Sequence, residues 1–236
     1  MQILMHNKIL TTLLFLVFYL LNIVLHAQTT YSIDSLIVED HFNTLQSQWI
    51  IETNSASPTT SIFVKDGKLI TNVNGGATVW LNKKLEGNIL IECKRKVVMQ
   101  GGSNDRLSDF NFFWMANDPQ QKNLFNHKGI FSDYDSLQLY YAGIGGNQNT
   151  TTRFRKYEGN GAKTILKEYT DAPHLLQPNK EYSVRILIKD GVTACWIDDE
   201  LYFTYNDPQP YTSGFFAFRV TKSNQEYSDF KVYRIK

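Results

Sequence analysis

The stretch Leu137–Tyr157, LQLYYAGIGGNQNTTTRFRKY, has the sequence pattern of a strand, a glycine-rich turn, a polar loop and a second strand. Strand side chains alternate between two faces, so Gln138 and Tyr140 share one face of the first strand. By the same rule, one face of the second strand carries two arginines and a tyrosine: Arg153, Arg155 and Tyr157. If the two faces coincide, this hairpin presents a surface suited to carboxylates and hydroxyls.

Further strand patterns lie on both sides of this hairpin. Ser61–Val73 and Glu181–Asp207 contain apolar runs joined by Asp-Gly turns, which are strong hairpin signals. The chain ends in two more apolar runs, and no long amphipathic helix is evident. Many short strands with frequent turns predict an all-β antiparallel sandwich. In a jelly roll, the last strand would pair with the first.

Residues 1–27 have the pattern of a signal peptide. Lys8 supplies the positive charge, residues 9–25 are almost wholly apolar, and Ala27 ends an imperfect cleavage site. The apolar run is long, so an uncleaved N-terminal anchor is the alternative. No second run approaches membrane-spanning length. We therefore expect an exported protein, periplasmic or secreted, with residues 28–236 forming a single domain.

The charges of the mature chain balance. The full chain has 24 basic and 23 acidic residues, and the segment 1–27 contains one of the basic residues, Lys8, and no acidic one. Residues 28–236 therefore have a formal net charge of zero. A nucleic-acid-binding protein needs a basic face, so this class is excluded. The length and charge fit a monomeric domain.

Cys93 and Cys195 each lie in an apolar strand-like run. Export permits a disulfide, and buried free thiols are the equal alternative. Neither cysteine has a second ligand at metal-binding spacing, so no metal site or cofactor is expected. A structural calcium ion near 103–105, or near Asp133 and Asp135, is the alternative to ordinary loop solvation.

Three segments resemble concanavalin A-like, jelly-roll domains of carbohydrate-active proteins. They are DHFNT at 40–44, VTACWIDDELYF at 192–203 and SGFFAFRVTKSNQEYSDFKVY at 213–233. Three other segments are more specific to one family: FFWMANDP at 112–119, the Leu137–Tyr157 stretch and LKEYTDAPHLLQPN at 166–179. Together they resemble an exported family of bacterial polysaccharide-utilisation loci, similar to uronate oligosaccharide dehydratases and lyases of the ulvan-degradation type. The resemblance implies an oligosaccharide or polysaccharide substrate.

Elimination from a uronate would assign roles to these residues. The enzyme must neutralise the sugar carboxylate and move a proton from C5, for which arginine or glutamine and tyrosine or histidine are suited. The candidate catalytic residues are Tyr140, Tyr157 and His127. The candidate substrate-binding residues are Gln138, Arg153, Arg155, Asn147 and His174.

Other interpretations remain open. The arginine pair also fits a solvated strand face, and each tyrosine alone fits a packed core position. A non-catalytic carbohydrate-binding domain would use the same groove. A hydrolase acting on modified sugars needs two carboxylates across the sugar, and the usual jelly-roll glucanase run E-x-D-x-E is missing from the sequence.

Overall fold

The structure is a computed structural model that describes residues 30–45, 47–54, 56–57, 59–120 and 123–236. It divides into two units, Met1–Ser32 and Ile33–Lys236, and only the last three residues of the first unit are described. The expected signal peptide at 1–27 therefore lies outside the described residues. No helix in the described ranges is long and apolar enough to cross a membrane.

Antiparallel strands make up most of the described chain. In chain order they are β1 (Ile33–Asp40), β2 (Trp49–Thr53), β3 (Ser61–Lys65), β4 (Lys68–Leu81), β5 (Leu85–Glu86), β6 (Ile89–Val97), β7 (Phe110–Asn117), β8 (Gln138–Gly145), β9 (Thr151–Glu158), β10 (Lys163–Tyr169), β11 (Glu181–Lys189), β12 (Val192–Ile197), β13 (Glu200–Asn206) and β14 (Ser213–Ile235). The hairpins predicted from the Asp-Gly turns are β3–β4 and β11–β12, and both are confirmed.

Helical structure in the described ranges is limited to short turns. Phe131–Ser136 and Ala172–His174 are 3-10 helices. Gly146–Asn149 forms one helical turn between β8 and β9, in which Asn147 and Gln148 have left-handed backbone angles. Each of these turns connects two consecutive strands.

The long strand β14 belongs to both layers of the sandwich. Its first part pairs with β7 on one side and with β4 on the other, whereas its last part pairs with β6 and β1. The first layer therefore has the order β10-β9-β8-β7-β14-β4-β2, and the second layer contains β13-β12-β11-β6-β14. Ile33 lies opposite Ile235, so the last strand pairs with the first, as the jelly-roll pattern predicts.

The main hydrophobic core lies between these layers. Phe154 of the first layer stacks on Phe203 of the second, with ring centres 5.3 Å apart. Trp114 Nε1 donates a hydrogen bond of 2.9 Å to Thr193 Oγ1 across the interior. The aromatic strand β7 supplies several core side chains because it is covered on both faces. The all-β sandwich prediction is confirmed.

A second apolar cluster lies on the outer face of the first layer, the face turned away from the main core. Here the segment between β7 and β8 packs over the sheet, with Tyr134 contacting Trp80 and Phe113. Buried Glu52 accepts hydrogen bonds from Trp80 Nε1 at 2.7 Å and from the Tyr134 hydroxyl at 2.9 Å. This segment, 123–136, is therefore bound to the sheet by both apolar and polar contacts.

Cys93 and Cys195 are buried free thiols. Cys93 lies on β6 and Cys195 on β12, and β11 runs between these strands. Two strand spacings place their backbones about 10 Å apart, beyond the roughly 7 Å that a disulfide spans. Of the two alternatives that the sequence left open, the structure has the free thiols.

Candidate functional site

The register of the β8–β9 hairpin determines which side chains meet. Tyr141 lies opposite Arg155, and Leu139 lies opposite Tyr157. Opposite residues of an antiparallel pair share a face, so Tyr141 joins the two arginines and Tyr157. Tyr140 points to the other face, into the main core. The two faces proposed from the sequence therefore do not coincide, and grouping Tyr140 with the arginine face is wrong.

A one-residue register change next to the turn explains this difference. Gly146 bridges Thr151, but the next pairs of the ladder follow Gly143 opposite Arg153. If the bridge register had continued along the hairpin, Tyr140 would lie opposite Tyr157. A single extra residue in one strand transfers every following side chain to the opposite face. Gly145, which lies between the two registers, has the left-handed backbone that such an extra residue requires.

Tyr140 has a structural environment. It is buried, and its hydroxyl donates a hydrogen bond of 2.5 Å to Asp207 Oδ2. Asp207 also pairs with Lys156, at 2.6 Å. Burial, followed by the hydrogen bond to Asp207, raises the pKa of Tyr140 far above its usual range. Tyr140 therefore stays protonated and joins the two layers.

The histidines and Gln138 also lie away from the arginine face. His127 is partly buried in segment 123–136, which we call the covering segment, and its Nδ1 lies 2.9 Å from the Leu124 carbonyl oxygen. The ring of His174 stacks on Tyr169 with centres 3.7 Å apart, and its Nδ1 contacts Asp171 at 2.7 Å. Gln138 lines a different cavity, beside Asp207. None of the three is brought together with Arg155.

The arginine face opens into a polar cavity of about 350 Å³, which we call the outer-face groove. Its walls come from β7, β8 and β9, from the turn after β8 and from Phe131 of the covering segment. The polar and aromatic side chains that line it include Arg106, Asp109, Asn111, Phe131, Tyr141, Asn147, Gln148, Arg153 and Arg155. The structure thus brings together Arg153, Arg155 and Asn147 from the sequence-derived candidates.

Tyr141 forms the floor of this groove. Its hydroxyl donates a hydrogen bond of 3.0 Å to Asn111 Oδ1, and the guanidinium carbon of Arg155 lies 5.7 Å from its ring centre. The ring leans over Gly143, where an added Cβ would lie 2.1 Å from the Tyr141 hydroxyl oxygen. Glycine at position 143 therefore leaves the space that the tyrosine occupies.

The groove contains a donor without a carboxylate or carbonyl partner. Arg155 Nε is buried and has no such acceptor among the described residues; the buried hydroxyl of Tyr157, which lies in the outer apolar cluster beneath the groove rather than in its lining, has no well-aligned partner there either. Burial raises the pKa of Tyr157 to about 12, although the nearby Arg155 charge opposes this shift. Arg153, in contrast, is paired with Glu168 of β10. Buried donors are normally satisfied, so this guanidinium nitrogen is available to a water molecule or to an acceptor on a ligand.

Asp109 is the carboxylate that the lining of the groove contributes, and it is already engaged. Its Oδ2 pairs with Arg106 and accepts a hydrogen bond of 2.8 Å from the backbone of Lys222. The loop residues considered for calcium also have protein partners: Asn104 bonds to Thr59, and Asp135 pairs with Lys163 at 2.7 Å. Within the described ranges, no group of three metal-ligating side chains is placed to hold a metal ion.

Six of the polar and aromatic groove residues were missed at the sequence level: Arg106, Asp109, Asn111, Phe131, Tyr141 and Gln148. Asn111 carries a usable signal, because it interrupts the aromatic run of β7 on the face that it shares with Phe113. Tyr141 could be found only by knowing the register. Arg106 lies in an irregular loop, so its direction follows from tertiary contacts rather than from any strand pattern.

Residues 71–230 match the model of a protein family described as DUF6250, a domain of unknown function, and the chain belongs to this family. No curated protein matches the chain in sequence.

Solved structures share the fold. A protein of unknown function with a galectin-like fold from Bacillus subtilis has a TM-score of 0.70 at 16% identity, covering 87% of this chain and 99% of its own. Carbohydrate-binding module CBM66 from Bacillus subtilis has a TM-score of 0.54 at 12% identity, covering 81% and 97%. LamA from Z. galactanivorans, in complex with laminaritriose and laminaritetraose, has a TM-score of 0.59 at 10% identity, covering 86% and 100%. These similarities define a concanavalin A-like or galectin-like jelly roll.

Proposed function

We propose that this protein binds an acidic oligosaccharide in the outer-face groove. The observation that carries the proposal is the buried, unpartnered Nε of Arg155 beside the Tyr141–Asn111 pair. A guanidinium group is the strongest side-chain partner for a carboxylate or a sulfate ester. Tyr141 and Phe131 add aromatic surface for a sugar ring, and Asn147 and Gln148 add hydrogen-bonding groups at the rim.

The fold neighbours support a carbohydrate ligand. One is a carbohydrate-binding module and another holds laminari-oligosaccharides. Laminari-oligosaccharides are neutral, whereas the groove of this protein contains three arginines. Arg106 pairs with Asp109 and Arg153 pairs with Glu168, so Arg155 is the arginine of the lining without an ion pair among the described residues. The acidic character of the proposed ligand therefore rests on this chain's own side chains.

The same groups could carry out elimination on a uronate. Arg155 would neutralise the sugar carboxylate, and the phenolate of Tyr141 would take the proton from C5. The electron pair of that C–H bond would form the C4=C5 double bond as the bond from C4 to the leaving oxygen breaks. The Tyr141 phenol would then return a proton to that oxygen. The products are an unsaturated sugar and either water or a shortened chain.

A combined binding and turnover assay tests this proposal. Residues 28–236 would be offered oligosaccharides of ulvan, alginate, pectin and glycosaminoglycans, while ultraviolet absorbance of the conjugated double bond and product mass are followed. Rising absorbance with loss of water identifies a dehydratase, and rising absorbance with cleavage identifies a lyase. Absence of both binding and turnover on every acidic series, at low salt, would overturn the proposal.

Binding without turnover is the second candidate, and one observation favours it. Burial raises the pKa of Tyr141 well above its usual range, so the phenolate needed as a base is scarce at neutral pH. A binding module would bind the same oligosaccharides with no change in absorbance. A two-carboxylate hydrolase has less support, because Asp109 is held by Arg106 and by backbone amides.

Export is part of the proposal as well. We propose that residues 1–27 direct the chain to the periplasm or the medium, where polysaccharide fragments are found, and that the mature domain is a monomer. Mass spectrometry of the protein from a fractionated cell tests the cleavage after Ala27. Retention of the full chain in the membrane fraction would instead identify the N-terminal segment as an anchor. Sedimentation of the mature domain tests the monomer.

A further inference from the structure

The first layer has enough width for a long cleft, but only part of its outer face is open. The groove is lined from β7, β8 and β9. Beyond β7, the outer face of β14, β4 and β2 is covered by segment 123–136, with Trp80 and Ala217 fully buried beneath it. A sugar chain lying in the groove would meet Phe131 of this segment at the β7 side.

This cover, segment 123–136, is held against the sheet by specific contacts. Glu52 accepts a third hydrogen bond, 2.7 Å long, from the backbone of His127. Gly76 of β4 and Gly129 of the cover are in close backbone contact, since a Cβ on Gly76 would lie 2.1 Å from the Gly129 carbonyl oxygen. Removing the buried carboxylate would leave three donors without their acceptor, and a side chain at Gly76 would force the two backbones apart. The cover therefore forms a wall of the groove.

Behind the closed end lies a buried arginine that is not part of the groove lining. Arg219 is fully buried on β14, directly opposite Asn111 of the groove, and its Nε and Nη2 have no partner among the described residues. Its Nη1 donates to the Ala77 carbonyl oxygen at 2.8 Å, and Phe131 lies 5.5 Å from its guanidinium carbon. Arg219 has no ion pair among the described residues, but the charge of Asp109 opposes the lowering of its pKa by burial, so the free positive charge that the groove itself presents is that of Arg155.

We infer that the outer-face groove recognises the end of an acidic sugar chain rather than its interior, with the acidic terminal residue placed against the closed end. This inference rests on the proposed function and adds the mode of binding. The wall at Phe131 excludes a chain that continues past β7, and the charge of Arg155, which lies on the groove floor beside Tyr141, favours a terminal carboxylate or sulfate. A volume of about 350 Å³ is at the lower limit of ligand sites, as expected for one or two sugar residues.

Binding stoichiometry tests this inference directly. Oligogalacturonides, alginate oligosaccharides and ulvan oligosaccharides, each fractionated by length, would be titrated by calorimetry against residues 28–236. Chain-end recognition predicts one bound protein per chain at every length, and a constant affinity per chain. Recognition of internal residues predicts that the number of bound proteins rises in proportion to chain length.

The two proposals fail in different ways. A stoichiometry that rises with length, for any series that binds, overturns chain-end recognition and leaves the acidic-oligosaccharide proposal standing. Lack of binding by all three series overturns both. We also expect binding to be lost when the terminal carboxyl group of the bound series is reduced to an alcohol and the internal carboxylates are left intact. This loss would confirm the inference. Undiminished binding after that reduction contradicts the inference.

Discussion

Tyr141 and Arg155 lie directly opposite each other across β8 and β9, with the guanidinium carbon 5.7 Å from the tyrosine ring centre. The two side chains affect each other's chemistry. Burial raises the pKa of Tyr141, the neighbouring Tyr157 raises it further, and the charge of Arg155 opposes both effects. The pair therefore combines an anion-binding donor with a hydroxyl that Arg155 partly activates.

Substituting each of two adjacent tyrosines, Tyr140 and Tyr141, separates the effect on turnover from the effect on stability. Tyr141→Phe should keep the fold, at a stability cost from the unpaired Asn111 Oδ1, and should reduce elimination about 10²-fold or more, because the group that moves the proton is lost. Tyr140→Phe should preserve turnover but lower the free energy of unfolding by about 1–3 kcal/mol, because Asp207 loses a buried donor. Urea denaturation and the absorbance assay on both variants measure these effects. If Tyr140→Phe lost turnover and Tyr141→Phe kept it, the catalytic tyrosine would be Tyr140, as the sequence analysis predicts.

Arg155→Gln should weaken binding of acidic oligosaccharides by roughly 30-fold, since a hydrogen bond to a charged group contributes about 2 kcal/mol. Arg185→Gln is a matched control, because Arg185 is a partly exposed arginine on β11 that pairs weakly with Asp199 at 3.4 Å. Calorimetric titration of both variants provides the comparison. Equal losses in the two variants would mean that binding follows overall charge rather than the groove.

The sequence predicts the sandwich and its hairpins well, because both depend on local patterns. Alternation identifies strands, and the Asp-Gly turns set the ends of β3–β4 and β11–β12. The candidate site was predicted only in part. Arg153, Arg155 and Tyr157 do share one face of β9, but the partner face on β8 was wrong because of the register change near Gly146.

The positions of His127 and Gln138 could not be predicted from local patterns at all. His127 lies in an irregular segment whose path is set by distant Glu52, which contacts it through the backbone at 2.7 Å. Gln138 begins β8, so its direction depends on the same register as Tyr140. Contacts between residues far apart in the chain decide such positions, and strand periodicity carries no information about them.

Gly143→Ala should disturb the groove through Tyr141 alone. Position 143 has no positive φ, so the backbone tolerates alanine, but the new Cβ would lie 2.1 Å from the Tyr141 hydroxyl oxygen. We expect a loss of about 1–3 kcal/mol in stability from overpacking, together with weaker ligand binding. In a Tyr141→Ala background, the same glycine substitution should have a much smaller effect. A double-mutant cycle by urea denaturation measures this coupling, and additive effects would contradict the steric explanation.

Both thiols should be unreactive in the folded protein. Burial raises the pKa of Cys93 to about 12 and that of Cys195 still further, so neither forms the thiolate that reacts with disulfide reagents. A thiol-titrating reagent should therefore detect no thiol in the native chain and two after denaturation. Detection of none after denaturation without reductant would indicate a disulfide and contradict the strand order β6-β11-β12.

Asp207 should make the fold sensitive to acid. Its burial opposes ionisation, but hydrogen bonds from Lys156 and Tyr140 outweigh this and hold the pKa of Asp207 below its usual value of 3.8. A carboxyl group with a lowered pKa in the folded state stabilises the protein above that usual value, and this contribution is lost as the pH falls through the folded-state pKa. The free energy of unfolding should therefore decrease as the pH is lowered below about 4.

Urea denaturation at several pH values, from about pH 3 to about pH 7, measures this loss. Asp207→Asn should be less stable than the wild type at neutral pH and should show a flatter decline in acid. Asp199→Asn serves as the control, because the side chain of Asp199 is fully exposed and its substitution should leave the wild-type profile unchanged. If Asp207→Asn followed the wild-type decline in parallel, the acid sensitivity would belong to other carboxylates, of which Glu226, paired with Lys68 and Lys96, is the next to test.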